Sequence, residues 1–152
     1  MMLPEVFHFI RKGPTSFFPV PTFWQAVAFI NGYNIACCGG LLHGFREWLI
    51  VKTNKGDCLP WHAHVLYLTF PGDDRLSGCL VSPEAEAAAF DMVFQLLGEF
   101  YSERETFRGL RRIFFEYEVW LTKQYAYDVL KPKWHDNWPP PPTDDRDATP
   151  PP

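Results

Sequence analysis

Apolar residues recur at helical spacing in several stretches of the chain, and the polar residues between them mark where each stretch begins and stops. Phe23, Val27, Ile30 and Asn34 line one face of a predicted helix, with Ala26, Phe29 and Tyr33 beside it. Thr22 is suited to cap its start, and Gly39-Gly40 ends it by supplying left-handed backbone at little steric cost. A second helix is expected from Leu41 or Leu42 to about Thr53, with Leu42, Phe45, Trp48 and Leu49 opposite His43, Arg46, Glu47 and Lys52. Before Thr22, prolines at 4, 14, 19 and 21 prevent a long helix, and Val6 to Ile10 is expected to make one turn or a short extended segment.

The clearest helix follows Ser82. This serine caps, Pro83 takes the first helical position, and Glu84 and Glu86 fall in the first turn, where the helix dipole favours negative charge. Phe90, Val93, Phe94, Leu97 and Tyr101 form its apolar face. Beyond Gly109 a further helix is predicted from Leu110 to Leu130, although Ile113, Phe115, Tyr117, Val119 and Leu121 also alternate as a strand would. Residues 61–70 are ambiguous by period. A helix joins Trp61, Val65 and Leu68, whereas a small β-hairpin across 64–81 would pair the run with Leu76 to Val81 around the Pro71-Gly72 turn. The expected fold is thus mainly α, a helical domain of four to five helices over residues 1–130.

Composition changes sharply after that. Eight of the fifteen prolines lie at 132, 139–142 and 150–152, so residues 131–152 read as an extended or disordered proline-rich tail. Within it, Trp134, Trp138 and the four prolines that follow are a candidate peptide ligand for an aromatic-lined groove. Elsewhere, 47% hydrophobic against 21% charged residues excludes disorder of the whole chain. The net charge of −4 divides into +2 over residues 1–60 and −6 over 61–152. That balance disfavours a phosphate backbone as partner and favours a basic protein. No run approaches the ~18 apolar residues of a membrane span. The opening Met1-Met2-Leu3-Pro4-Glu5 lacks the features of a signal peptide, so a cytoplasmic location with reduced thiols is expected.

Candidate chemistry is sparse. Cys58, His62 and His64 lie close in sequence but lack the second ligand pair of a structural zinc site, and no metal or other cofactor is expected. No motif selects a catalytic nucleophile, and an enzyme would most simply be a small hydrolase using His62 or His64. The pairs Glu84/Glu86, Glu103/Glu105 and Glu116/Glu118 are spaced by two, which on a helix separates their faces. They read as surface charge, and together with Trp134 and Trp138 they are the candidate partner-binding residues. Arg104, Arg108, Arg111 and Arg112 are expected to pair with the neighbouring glutamates.

Five short patterns occur in order. They are Ile10-Arg11-Lys12-Gly13-Pro14, Phe29-Ile30-Asn31-Gly32-Tyr33, Gly44-Phe45-Arg46-Glu47-Trp48, Trp61, and Leu96-Leu97-Gly98-Glu99-Phe100. Over residues 10–104 the chain thereby resembles a loosely defined family of small bacterial proteins, several of them similar to immunity proteins of toxin systems. It departs from that pattern at Thr15-Ser16-Phe17-Phe18-Pro19, and residues 105–152 lie outside it. The resemblance implies an immunity-type protein that binds and neutralises a cognate toxin. The alternative is a general interaction module or complex subunit using the Trp/Pro-rich tail or an aromatic patch.

Overall fold

The computed structural model describes residues 4–125, which form six α-helices and, among the described residues, no strand. These are α1 (Glu5–Lys12), α2 (Phe23–Ala36), α3 (Phe45–Thr53), α4 (Trp61–Thr69), α5 (Pro83–Arg104) and α6 (Gly109–Tyr125), with single 3-10 turns at Pro14–Ser16 and Leu76–Cys79. The mainly helical expectation holds, with six helices instead of four to five. The proline-rich tail, with Trp134 and Trp138, lies outside the described residues.

Helix α5 is the axis of the molecule. Ser82 caps it by accepting from the Ala85 N–H, and it runs 22 residues, about 33 Å at the usual rise. It packs against each of the other five helices. Its buried residues Ala89, Phe90, Val93, Phe94, Leu96, Leu97, Phe100 and Tyr101 cover an arc of roughly 160°, nearly half its circumference, a wide apolar stripe.

Around this axis the aromatic side chains form two groups. Phe45, Trp48, Trp61 and Phe100 meet with ring centroids 5.1–6.0 Å apart. Phe7, Phe18, Phe29, Tyr33, Phe90 and Phe94 form the other, mostly edge-on. Two indole N–H groups tie helices together through asparagine: Trp61 donates to Asn31 of α2 at 3.1 Å, and Trp120 donates to Asn54 at 2.8 Å. Asn54 itself ends α3 in the left-handed conformation, a position asparagine tolerates.

Three segments differ from the sequence expectation. Residues 64–81 make no hairpin: 61–69 is helix α4 and Leu76–Cys79 is a 3-10 turn. Trp61, Ala63, His64, Val65 and Leu66 are all buried, because α3, α5 and the 76–79 turn surround the helix. A segment covered on so many sides carries no clean period of either kind. Helix α3 starts at Phe45, not at Leu41, since Gly44 adopts φ +87 and the preceding turn is held from outside. Asn34 accepts from the Leu42 N–H, while Tyr101 and Arg104 both donate to the Leu41 carbonyl. Finally, Glu5–Lys12 forms two full turns between Pro4 and Gly13, burying Phe7 and Ile10. Among the described residues, no helix is long and apolar enough to cross a membrane.

Candidate binding surface

The N-termini of α2 and α5 lie side by side, and the Glu86 carboxylate joins them by accepting from the Phe23 N–H at 2.8 Å. This supplies an acceptor for one of the donors that the first turn of α2 would otherwise leave unmet, and the dipole of α2 favours the negative charge there. Thr22 meets a second donor by accepting from Gln25 N–H.

Between the two helix starts is an open recess of about 350 Å³ lined by Val20, Pro21, Thr22, Leu80, Val81, Ser82, Pro83 and Glu86. Val20 is 67% exposed and Val81 76% exposed. Val81 immediately precedes the Ser82 cap, where an apolar residue commonly staples onto the fourth helical residue. In α5 that residue is Glu86, committed to Phe23, so Val81 has no apolar partner on its own helix. Trp24, in the first turn of α2, is 44% exposed and meets His62 edge-on at 5.1 Å. Sequence periodicity gave no warning of this surface, because its walls are single valines and prolines in the connections before two caps.

The six candidate glutamates do not form one surface. Glu84 and Glu86 begin α5, whereas Glu103 and Glu105 lie at its other end, about 28 Å away along the axis. Glu116 and Glu118 are on α6. Burial and repulsion by Glu103 raise the Glu116 carboxyl above its ordinary range, with Arg112 opposing. Arginines crowd this second group. Arg104 makes the expected pairing with a neighbouring glutamate, reaching Glu105 at 3.9 Å. It also donates to the Gly40 and Leu41 carbonyls and lies over the rings of Tyr101 and Phe100. Arg112 donates to Thr106 at 3.3 Å. A second, smaller groove of about 290 Å³ runs between α3 and α6, lined by Val51, Phe115, Glu116, Val119, Trp120 and Lys123.

His62 and His64 point to different environments, as residues two apart on a helix must. His62 is half-buried between Trp24 and Trp61, and burial lowers its pKa. His64 is fully buried, with Nδ1 2.8 Å from the Thr53 hydroxyl and no partner at Nε2. Thr53 Oγ1 also lies 2.9 Å from the Leu49 carbonyl. The arrangement that satisfies most groups has Thr53 donating to that carbonyl and accepting from Nδ1–H, which leaves Nε2 a bare acceptor in the core. Among the described residues, no group of three or more His, Cys, Asp or Glu side chains could hold a metal ion. Cys37, Cys38, Cys58 and Cys79 are free thiols.

Burial, and secondarily the charge of Arg46, hold His64 down to about 4 against an ordinary value of 6.5. The unfolded chain therefore binds the extra proton first. The contribution to stability is complete above pH 6.5 and is lost as pH falls toward 4, amounting to about 3 kcal/mol over that window. Urea unfolding between pH 7 and 4 should show wild type losing this much more stability than His64→Leu, whose remaining acids titrate alike. Parallel profiles for the two proteins would refute the assignment.

No family model, curated protein or solved structure matches the chain.

Proposed function

We propose that this protein is an immunity-type inhibitor that binds and neutralises a cognate bacterial toxin, with the recess between the starts of α2 and α5 as its contact surface. The observation that carries the reading is the exposed Val20–Val81 recess, since apolar surface rimmed by polar groups is the kind that protein partners cover. The resemblance over residues 10–104 supplies the kind of partner. Residues that carry it, among them Phe45, Trp48, Trp61, Leu97 and Phe100, lie in the core, which leaves the surface to set specificity.

The test is co-expression in bacteria with the product of the adjacent gene. The expected result is rescue of growth and a complex that survives gel filtration. Unrelieved toxicity with both proteins expressed, or a harmless neighbouring product that forms no complex, would overturn the proposal.

A further inference from the structure

The two helix starts beside the recess would ordinarily recommend it to an anion. Three of its first-turn donors are already spent, however. The Phe23 N–H is taken by Glu86, the Gln25 N–H by Thr22 and the Ala85 N–H by Ser82. Pro21 and Pro83 have no N–H to offer. Five of the eight lining residues are aliphatic or proline, and none is basic.

What remains for a ligand is apolar wall and negative charge. Glu86 uses Oε2 on Phe23 and lines the recess, where its carboxylate carries the negative charge. Glu84 is exposed two residues away, where hydrogen bonds to its own N–H and to Ser82 hold its carboxyl below the ordinary range, and therefore charged, at neutral pH. Its volume of about 350 Å³ is at the small end of ligand pockets, enough for one or two side chains rather than a cofactor. The corner at the other end of α5 offers no comparable field, because Arg104, Arg108, Arg111 and Arg112 are interspersed with its glutamates.

Resting on the binding role proposed above, we infer that the toxin seats a protruding aliphatic or aromatic side chain between Val20 and Val81, with an adjacent lysine or arginine directed at Glu86, while Glu84 adds negative charge outside the recess. The aliphatic walls supply affinity through desolvation, and the two carboxylates supply steering and register. A partner with an acidic or uncharged rim is rejected, since it would bury Glu86 without a cation.

The experiment measures toxin binding and growth rescue for the full-length chain and its Val20→Asp, Val81→Asp, Glu84→Lys and Glu105→Lys variants, with thermal midpoints as a control. Both valines are surface residues, so midpoints should stay within about 3 °C of wild type. Val20→Asp and Val81→Asp should weaken binding at least 100-fold and abolish rescue. Glu84→Lys should weaken it at least tenfold and flatten the salt dependence of the association rate, while Glu105→Lys stays within about threefold. Rescue by wild type together with near-normal binding by both valine variants would overturn the inference while leaving the inhibitor reading intact. Failure of wild type itself would remove both. Two other occupants are equally visible. A dimer that Val81→Asp converts to monomer without changing toxin binding would assign the recess to a second copy, and tighter toxin binding after deletion of residues 131–152 would assign it to the tail. Either result would overturn the inference.

Discussion

Gly109→Ala should destabilise the protein by at least about 3 kcal/mol, a large share of the roughly 5–15 kcal/mol that holds a small domain folded. A methyl group on Gly109 would lie 2.1 Å from the Glu103 carbonyl oxygen and 2.7 Å from both the Arg104 carbonyl oxygen and Thr106 Oγ1. The first two are backbone atoms, and the turn that holds them has little freedom. Gly109 N–H donates to the Thr106 carbonyl at 2.8 Å, Thr106 donates through both its N–H and its hydroxyl to Glu103, and Arg108 already occupies the left-handed region at φ +57. Relief would require opening the corner and lifting α6. On its other side, α6 is seated on Gly44, where an added methyl would approach Leu110 to 2.8 Å. Gly98, in the middle of α5, has nothing within 4 Å of the same position. Gly98→Ala should therefore gain up to about 1 kcal/mol from helix propensity. Urea denaturation of the two variants checks the contrast, and a loss below about 1 kcal/mol for Gly109→Ala would show that the corner yields.

Phe100→Ala should cost about 3–5 kcal/mol. Its ring is fully buried and lies 5.1 Å from Phe45, 5.9 Å from Trp48 and 5.5 Å from Tyr101. Helices α3 and α5 would line the cavity, and α3 is held in place by other contacts, to α6 through Asn54 and Trp120 and to Trp61 of α4 through Phe45. Such a frame collapses poorly into a void, which places the expected cost in the upper part of the range for large-to-small changes. Phe9→Ala is the control, because Phe9 is 58% exposed and should shift stability by less than about 0.5 kcal/mol. Equal midpoints in chemical denaturation for the two variants would contradict this account of the core.

The elements that were legible in the sequence are those whose ends are written in local chemistry. Thr22 and Ser82 cap α2 and α5 as their side chains predict, and Pro83 follows its cap as expected. Phe45, Trp48, Phe94, Leu97 and Phe100 all belong to the common core, although Phe94 sits in the aromatic group of α1 and α2, away from Phe45 and Trp48. Features set by tertiary contact were not legible. Helix α4 is enclosed on several sides, so neither the helical nor the strand period was decisive. The 41–44 turn is fixed by Asn34, Tyr101 and Arg104, up to 63 residues away in sequence. Electrostatic expectations were incomplete for the same reason. Arg104 does pair with neighbouring Glu105 at 3.9 Å, yet it is also drawn to distant carbonyls, as Glu86 is to the start of another helix. The recess could not be read at all, since Val20 and Val81 are far apart in sequence and isolated among prolines and cap residues.

The placement of α5 also bears on synthesis. A nascent chain that has emerged only to residue 82 holds α1 to α4 but lacks the helix against which all of them pack. Both aromatic groups draw rings from α5, so neither is complete before Phe90, Phe94 and Phe100 have left the ribosome. The apolar faces of the first four helices must therefore wait, partly uncovered, through the translation of a further 20 residues or so, a delay of one to a few seconds at ordinary rates of synthesis. During that interval the chain is open to capture by chaperones or by other nascent chains. Its final assembly is one late event, in which α5 closes the two halves together.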